Sequence, residues 1–240
     1  MVSTGKATLY TNPDRTCPYA ARVRIVLEEK NIPYDIESID LKNRPAKFNE
    51  LYASINPIPG ASSKIPVFVD ADGTTLTESA VILNYLEDKY PQHPQLPKDA
   101  AGKAKARLFI ELLPQTFPAH LYAFMGADPG PEREKQRELF LTSLNAFEAL
   151  LKNTKLDDGD FVLGTQFSIA DAQVAPFFNT VKVLFGKFRN MDIFTTARER
   201  KLEHTLRWAE AIYKRDTVTR SLCVDEDLVA HVGHHPYFKA

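Results

Sequence analysis

The chain has 240 residues, 44% hydrophobic and 25% charged, with 30 Lys and Arg against 31 Asp and Glu for a formal net charge of −1. That balance excludes fibrous, disordered and membrane-embedded classes and leaves room for two modest domains, each with a core. With no dense basic block and no long apolar run, neither nucleic acid nor a membrane is expected as a partner.

Thr8-Leu9-Tyr10 reads as a short strand entering the Asn12-Pro13-Asp14 turn, and a helix is expected from Pro18 to Lys30. Its apolar face carries Tyr19, Val23, Val26 and Leu27. Cys17 precedes Pro18, a residue suited to the first turn of a helix, so the thiol is expected at a helix N-terminus, where unpaired N–H groups and the dipole favour a thiolate. A buried, inert thiol is the competing reading, but the polar loop Asn12–Thr16 is poorly suited to hiding one.

Tyr34 to Asp40 reads as a second strand, which makes a parallel βαβ unit with the first. Arg44 to Ala53 is weakly helical, and the loop from Asn56 to Ser63 is rich in proline and serine. Ile65-Pro66-Val67-Phe68-Val69 is a strand with proline at its mouth, Asp72-Gly73 a hairpin turn and Thr74 to Thr77 the return strand. Glu78-Ser79 opens a helix with Ile82, Tyr85, Leu86 and Tyr90 along one face. The order β-α-β-α-β-β-α is that of a thioredoxin-like layer.

Pro91, Pro94 and Pro97 mark a stiff, exposed connector, so the division expected is 1–90, a linker 91–98, and an all-helical domain 99–240. Ala100 to Met125 is expected as one long or kinked helix interrupted by Pro114 and Pro118, and Glu132 to Asn153 as a second. Ser168-Ile169-Ala170-Asp171 is a capping box ahead of an apolar helix from Ala172 to Phe185, and Ala197 to Tyr213 is a further helix holding the only tryptophan, Trp208.

Cys17 and Cys223 are the only cysteines, too few for a disulfide framework. The opening Met1-Val2-Ser3-Thr4-Gly5-Lys6 has no secretory pattern, and a cytoplasmic protein is expected. No metal-ligand spacing is present. His231, His234 and His235 cluster near the C-terminus, without a nearby cysteine, and read as a solvated tail.

Together, Cys17-Pro18-Tyr19 opening the first helix, Ile65-Pro66 before the third strand, Glu78-Ser79 opening the third helix and Ser168-Ile169-Ala170-Asp171 in the helical half resemble the cytosolic glutathione transferase family, in particular its cysteine-bearing, omega-like class. Cys-Pro-Tyr alone would equally suggest a glutaredoxin. The resemblance covers nearly the whole chain and implies the glutathione transferase fold: an α/β thioredoxin-like N-terminal domain and an all-α C-terminal domain. It implies glutathione as co-substrate, with no metal, and a homodimer.

By that resemblance Pro66 is cis, and the Ile65 backbone pairs with the cysteinyl part of glutathione in strand fashion. Ser79 and the helix N-terminus receive the γ-glutamyl carboxylate, and Glu78 pairs with its ammonium. Pro18 and Tyr19 complete the contacts around Cys17, and Arg44 falls near the glycyl end. Ser79 serving only as a cap and Arg44 as a solvated charge are the plainer alternatives. The loop from Pro57 to Pro66 is longer than is usual in omega-like proteins.

A catalytic cysteine, unlike a hydroxyl, can form a mixed disulfide with glutathione, so thiol transfer is expected, as deglutathionylation or dehydroascorbate-type reduction. Position 20 is Ala20, which leaves a monothiol route; Cys223, close to the tail, reads as inert, with a resolving role as the alternative. The alternatives are conjugation of glutathione to electrophiles and a non-catalytic module of the same fold. The resemblance places the pocket for a small hydrophobic or glutathionylated acceptor between the domains, with Phe109, Leu112, Leu113, Phe117, His120 and Tyr122 as candidates.

Overall fold

The structure is a computed structural model and describes residues 5–233. His234 and His235 therefore lie outside the described residues. β1 (Ala7–Thr11) alternates buried and half-buried side chains, the period-two pattern of a strand with one face in the core. It leads into α1 (Pro18–Glu29), β2 (Tyr34–Ser38) and α2 (Ala46–Ile55). β3 (Val67–Val69), β4 (Thr75–Thr77) and α3 (Ser79–Lys89) complete the first unit's regular elements.

The sheet order is β2-β1-β3-β4. β1 and β2 are parallel, from Ala7 opposite Tyr34 to Thr11 opposite Ser38, as the crossover through α1 requires. β3 runs antiparallel to both β1 and β4. The Asp72-Gly73 turn joins β3 to β4, with Gly73 at φ +90°, a conformation open to glycine and strained for other residues.

α1 buries Val23, Ile25, Val26 and Leu27 completely. Each such side chain contributes about 1.5–3 kcal/mol relative to exposure. Tyr19, assigned to the same apolar face by its spacing, is instead 46% exposed: it lines a cavity beside Pro66, whereas Ala20 and Ala21 of the same turn are buried. α1 packs against α3. At its C-terminus the fully buried Lys30 ammonium meets Glu87 at 2.7 Å and donates to the carbonyl of Tyr90 at 2.8 Å, with longer contacts to Gln92 and His93. The start of the connector is thus tied to α1. The buried Asp70 carboxylate likewise accepts from Tyr85 at 2.6 Å and Tyr90 at 2.5 Å.

The chain divides into two units: one runs through Pro94 and includes Ser221–Cys223, the other runs Gln95–Arg220 and resumes at Val224. The second is helical: α4 (Ala100–Leu112), a 3-10 turn (Leu113–Gln115), α5 (Pro118–Gly126), α6 (Pro131–Thr154), α7 (Ile169–Phe188), α8 (Ile193–Glu199), α9 (Glu203–Tyr213), α10 (Asp216–Ser221) and α11 (Asp225–Gly233). Pro114 and Pro118 split the first expected helix into α4 and α5, since neither can donate to the preceding turn.

The helix expected over Ala197–Tyr213 is two, because the chain turns at Lys201, which holds φ +58°. α7 is buried along most of its length, as its continuous apolar sequence dictates. Around it Phe117, Phe147, Phe178 and Trp208 meet edge to face at 5.1–6.0 Å between centroids, the geometry ring quadrupoles favour.

The Ser168 capping box forms as the sequence pattern predicts: the Ser168 hydroxyl caps Ala170, and Asp171 returns to the Ser168 amide. Asp171 also reaches the Val162 amide and the Trp208 indole. No helix among the described residues is long and apolar enough to cross a membrane.

Candidate functional site

The loop from β1 to α1 is a lattice of short polar side chains. Asn12 Oδ1 accepts from the Cys17 amide at 3.1 Å, and Asn12 Nδ2 donates to Thr16 Oγ1 at 2.7 Å and to Asp14. Thr16 Oγ1 in turn donates to Asp14 at 2.9 Å. Thr11, Asn12 and Thr16 are buried, so the loop fixes the entry to α1.

Cys17 is the N-cap of α1, extended at φ −65° and ψ 113°, with Pro18 at the first helical position. Its half-buried side chain packs on the cluster Ile39, Phe48, Tyr52, Ile65 and Val67. Burial pushes the Cys17 thiol up, whereas the amides of Ala20 and Tyr19 and then the Arg24 and Arg22 guanidiniums pull it down. The net direction is upward, against the expectation from the helix terminus alone: desolvation outweighs the dipole here.

A cavity of about 350 Å³ gathers Tyr19, Lys64, Ile65, Pro66, Thr77, Glu78 and Ser79. The Ile65–Pro66 peptide is cis. Ile65 forms no backbone hydrogen bond among the described residues, while Thr77 Oγ1 donates to the Pro66 carbonyl at 3.2 Å. Glu78, the N-cap of α3, adopts φ +65° with its carboxylate exposed; a non-glycine residue there costs of order 1–3 kcal/mol.

Ser79 is buried, and its Oγ accepts from Arg22 Nη1 at 3.2 Å. Arg22 also lies over the Tyr19 ring, 5.1 Å from its centroid. Arg22 and Lys64 were not singled out from the sequence. Arg22 follows Cys17 by five residues, but its contact with Ser79, 57 positions on, is set by the tertiary fold.

Arg44 stands apart from this cavity. Its Nε donates to the Ser63 carbonyl at 3.0 Å, and it lines a separate open cleft of about 750 Å³ with Lys42, Tyr52, Asn56 and the loop from Pro57 to Ser63. The long loop thus builds its own concavity rather than closing over Ile65. Tyr10 sits in β1 with its ring 5.7 Å from that of Phe48, a packing residue.

Of the residues considered for an acceptor pocket, Phe109, Leu113 and Phe117 are buried core of the helical unit, Leu112 and His120 are half-buried, and Tyr122 is exposed. Among the described residues no group of three or more His, Cys, Asp or Glu is arranged to hold a metal ion.

Residues 16–89 match the glutathione S-transferase N-terminal domain, and residues 130–211 the C-terminal domain. A probable glutathione S-transferase DHAR2, chloroplastic, of Oryza sativa subsp. japonica is 29% identical over 94% of this chain and 72% of its own length. A probable maleylacetoacetate isomerase of Caenorhabditis elegans is 33% identical over 73% of this chain and 78% of its own. The crystal structure of glutathione transferase Omega 3C from Trametes versicolor superposes with a TM-score of 0.76 at 22% identity, covering 96% of this chain and 91% of that one, a likeness of fold. The matched domains, read with the fold and with a relative one-third identical, establish that the chain belongs to the glutathione S-transferase family.

Proposed function

We propose that this transferase is a monothiol, omega-like thiol transferase acting in the cytosol. The observation that carries the reading is Cys17 at the N-terminus of α1, with two amides and two guanidiniums opposing its desolvation and no second cysteine in the motif. The Cys17 thiolate attacks the glutathionyl sulfur of a mixed disulfide, the substrate leaves as its thiolate, and Cys17 retains glutathione. A second glutathione thiolate attacks that sulfur, releasing glutathione disulfide and restoring Cys17. Deglutathionylation follows this cycle. In dehydroascorbate-type reduction the Cys17 thiolate adds to a substrate carbonyl carbon, and a glutathione thiolate attacks the sulfur of that adduct so that the C–S electron pair leaves with the reduced substrate. The resulting Cys17–glutathione disulfide is resolved by the same second half.

In the cavity, the unpaired Ile65 backbone suits strand pairing with the cysteinyl part of glutathione. Ser79 at the start of α3, together with Arg22 of α1 that donates to it, suits the γ-glutamyl carboxylate, and the positive-φ backbone of Glu78 presents a carboxylate to the ammonium. Arg44 would meet the glycyl end only from the neighbouring cleft. Glu78→Gln should raise the KM for glutathione about tenfold, the loss of one charge-assisted contact, with melting temperature unchanged.

The deciding experiment is intact-mass analysis after incubation with oxidised glutathione, with peptide mapping. One glutathione adduct on Cys17, reversed by reduced glutathione, is expected; no adduct, or one confined to Cys223, overturns the reading. The upward direction of the thiol favours one second reading, in which Cys17 is a bystander and bound glutathione attacks an electrophile. Chlorodinitrobenzene turnover that survives Cys17→Ala identifies that case.

A further inference from the structure

Arg24 is fully buried, and its hydrogen bonds all go to neutral oxygens: Nε to the Ser221 carbonyl at 2.9 Å, Nη2 to the Arg15 carbonyl at 2.9 Å and Nη1 to Thr11 Oγ1 at 3.4 Å. Among the described residues no carboxylate pairs with it. Asp14, the acid of the adjoining loop, is engaged by Asn12 and Thr16. Buried charges are normally paired, because removing an ion from water costs several kcal/mol. An arginine cannot escape that cost by losing its proton at neutral pH.

Helical side chains lean toward the N-terminus, and Arg24 does so far enough for its Nη2 to bond the Arg15 carbonyl, which sets the guanidinium at the loop that delivers Cys17 as the N-cap of α1. The carbonyls that anchor the guanidinium belong to Arg15 and Ser221, each two residues before a cysteine.

We propose that Arg24 is a positioning residue for Cys17: its buried, carboxylate-free charge takes the Cys17 thiolate as counter-ion and offsets the desolvation of that thiol. The proposal rests on the thiol-transfer reading for its consequence, though not for its test. Burial and then Arg15 pull the Arg24 guanidinium down to about 10, in keeping with a cation that has no anion to face while the thiol is protonated.

The titratable groups around the pair are Arg22 on α1, Tyr10 on β1, Tyr52 on α2, Arg15 and Asp14 in the loop, Tyr34 on β2 with its partner Glu28, and Cys223. Arg22 differs in that it is shared with Ser79 and Tyr19. Arg24, which bonds Thr11, Arg15 and Ser221 instead, is therefore the cation whose removal leaves the Arg22 contacts at the cavity in place.

The test is the pH dependence of Cys17 alkylation by iodoacetamide in a Cys223→Ser background. Arg24→Met and Arg24→Gln, the second retaining hydrogen-bond donors for the two carbonyls, should raise the midpoint by at least about one pH unit and slow alkylation at neutral pH about tenfold. The high-pH plateau should not change, and Arg24→Lys should restore most of the shift. A folded neutral variant with the parental midpoint overturns the proposal, as does a Lys variant shifted as far as Met.

Should both neutral variants fail to fold, Cys17→Asp and Cys17→Asn decide the matter with Arg24 intact. Asp should melt above Asn at pH 7 and fall to meet it as the carboxylate protonates below about pH 4; equal melting at pH 7 overturns the proposal. Alkylation needs no glutathione, so a shifted midpoint without a glutathione adduct would refute the thiol-transfer reading while leaving this inference standing.

Discussion

Cys17→Ser should lose glutathione-dependent reduction of a small mixed disulfide by at least about a thousandfold, because a hydroxyl cannot form the disulfide on which turnover depends. The fold should tolerate the change. Cys17 is half-buried, its amide bond to Asn12 does not involve the side chain, and serine is itself a good N-cap, so stability should stay within about 1 kcal/mol. Glutathione affinity should also persist, since Tyr19, Ile65, Pro66, Glu78 and Ser79 remain in place. The same variant should gain conjugating activity toward chlorodinitrobenzene, as a serine hydroxyl can stabilise the thiolate of bound glutathione. Parallel assays of both reactions check this. Unchanged disulfide reduction in Cys17→Ser would remove the cysteine from the mechanism.

Asp171→Ala should destabilise the protein by about 3–5 kcal/mol. The carboxylate is fully buried and accepts from four donors: the Ser168 amide and hydroxyl at 2.8 Å, the Val162 amide at 2.7 Å and the Trp208 indole at 2.9 Å. Alanine would leave these donors facing a void too small and too apolar to rehydrate all of them. At this chain length the melting temperature should fall by roughly 6–20 °C. Asp171→Asn should recover only part of the loss, since its amide nitrogen must face a donor. Thermal denaturation followed by the fluorescence of Trp208, the only tryptophan, reads the effect at the site itself. A drop below about 1 kcal/mol would show that the network contributes little beyond an ordinary cap.

The layer order was legible because its signals are local. Thr8-Leu9-Tyr10 before the Asn12-Pro13-Asp14 turn marks β1, Pro18 and the spacing of Val23, Val26 and Leu27 mark α1, Asp72-Gly73 marks the hairpin, and Ser168-Ile169-Ala170-Asp171 marks the start of α7. The break between α8 and α9 was not legible, since it falls at Lys201 in a left-handed conformation and no glycine or proline announces it. α10 and α11 are short and polar at their starts, too brief for a periodic signal. In the site, Cys17 and the Glu78-Ser79 pair stand out by residue type, whereas Arg22 and Arg24 look like ordinary helix charges. Their meaning comes from Ser79, Ser221 and Arg15, which no spacing rule connects to them. The direction of the Cys17 thiol was misread for the same reason: a helix terminus can be read locally, but desolvation depends on Ile65, Phe48 and Tyr52 arriving from other elements.

The return of Ser221–Cys223 to the first unit has a thermodynamic consequence. The chain passes from the first unit to the second, back, and out again, so sequence continuity and structural membership do not coincide. A polypeptide ending at Pro94 would carry every strand of the sheet yet lack the Ser221 carbonyl that receives Arg24 Nε, leaving a fully buried cation short of an acceptor. Cut there, the sheet-bearing half should be less stable than in the full chain, because a residue that completes its interior arrives 197 positions after Arg24.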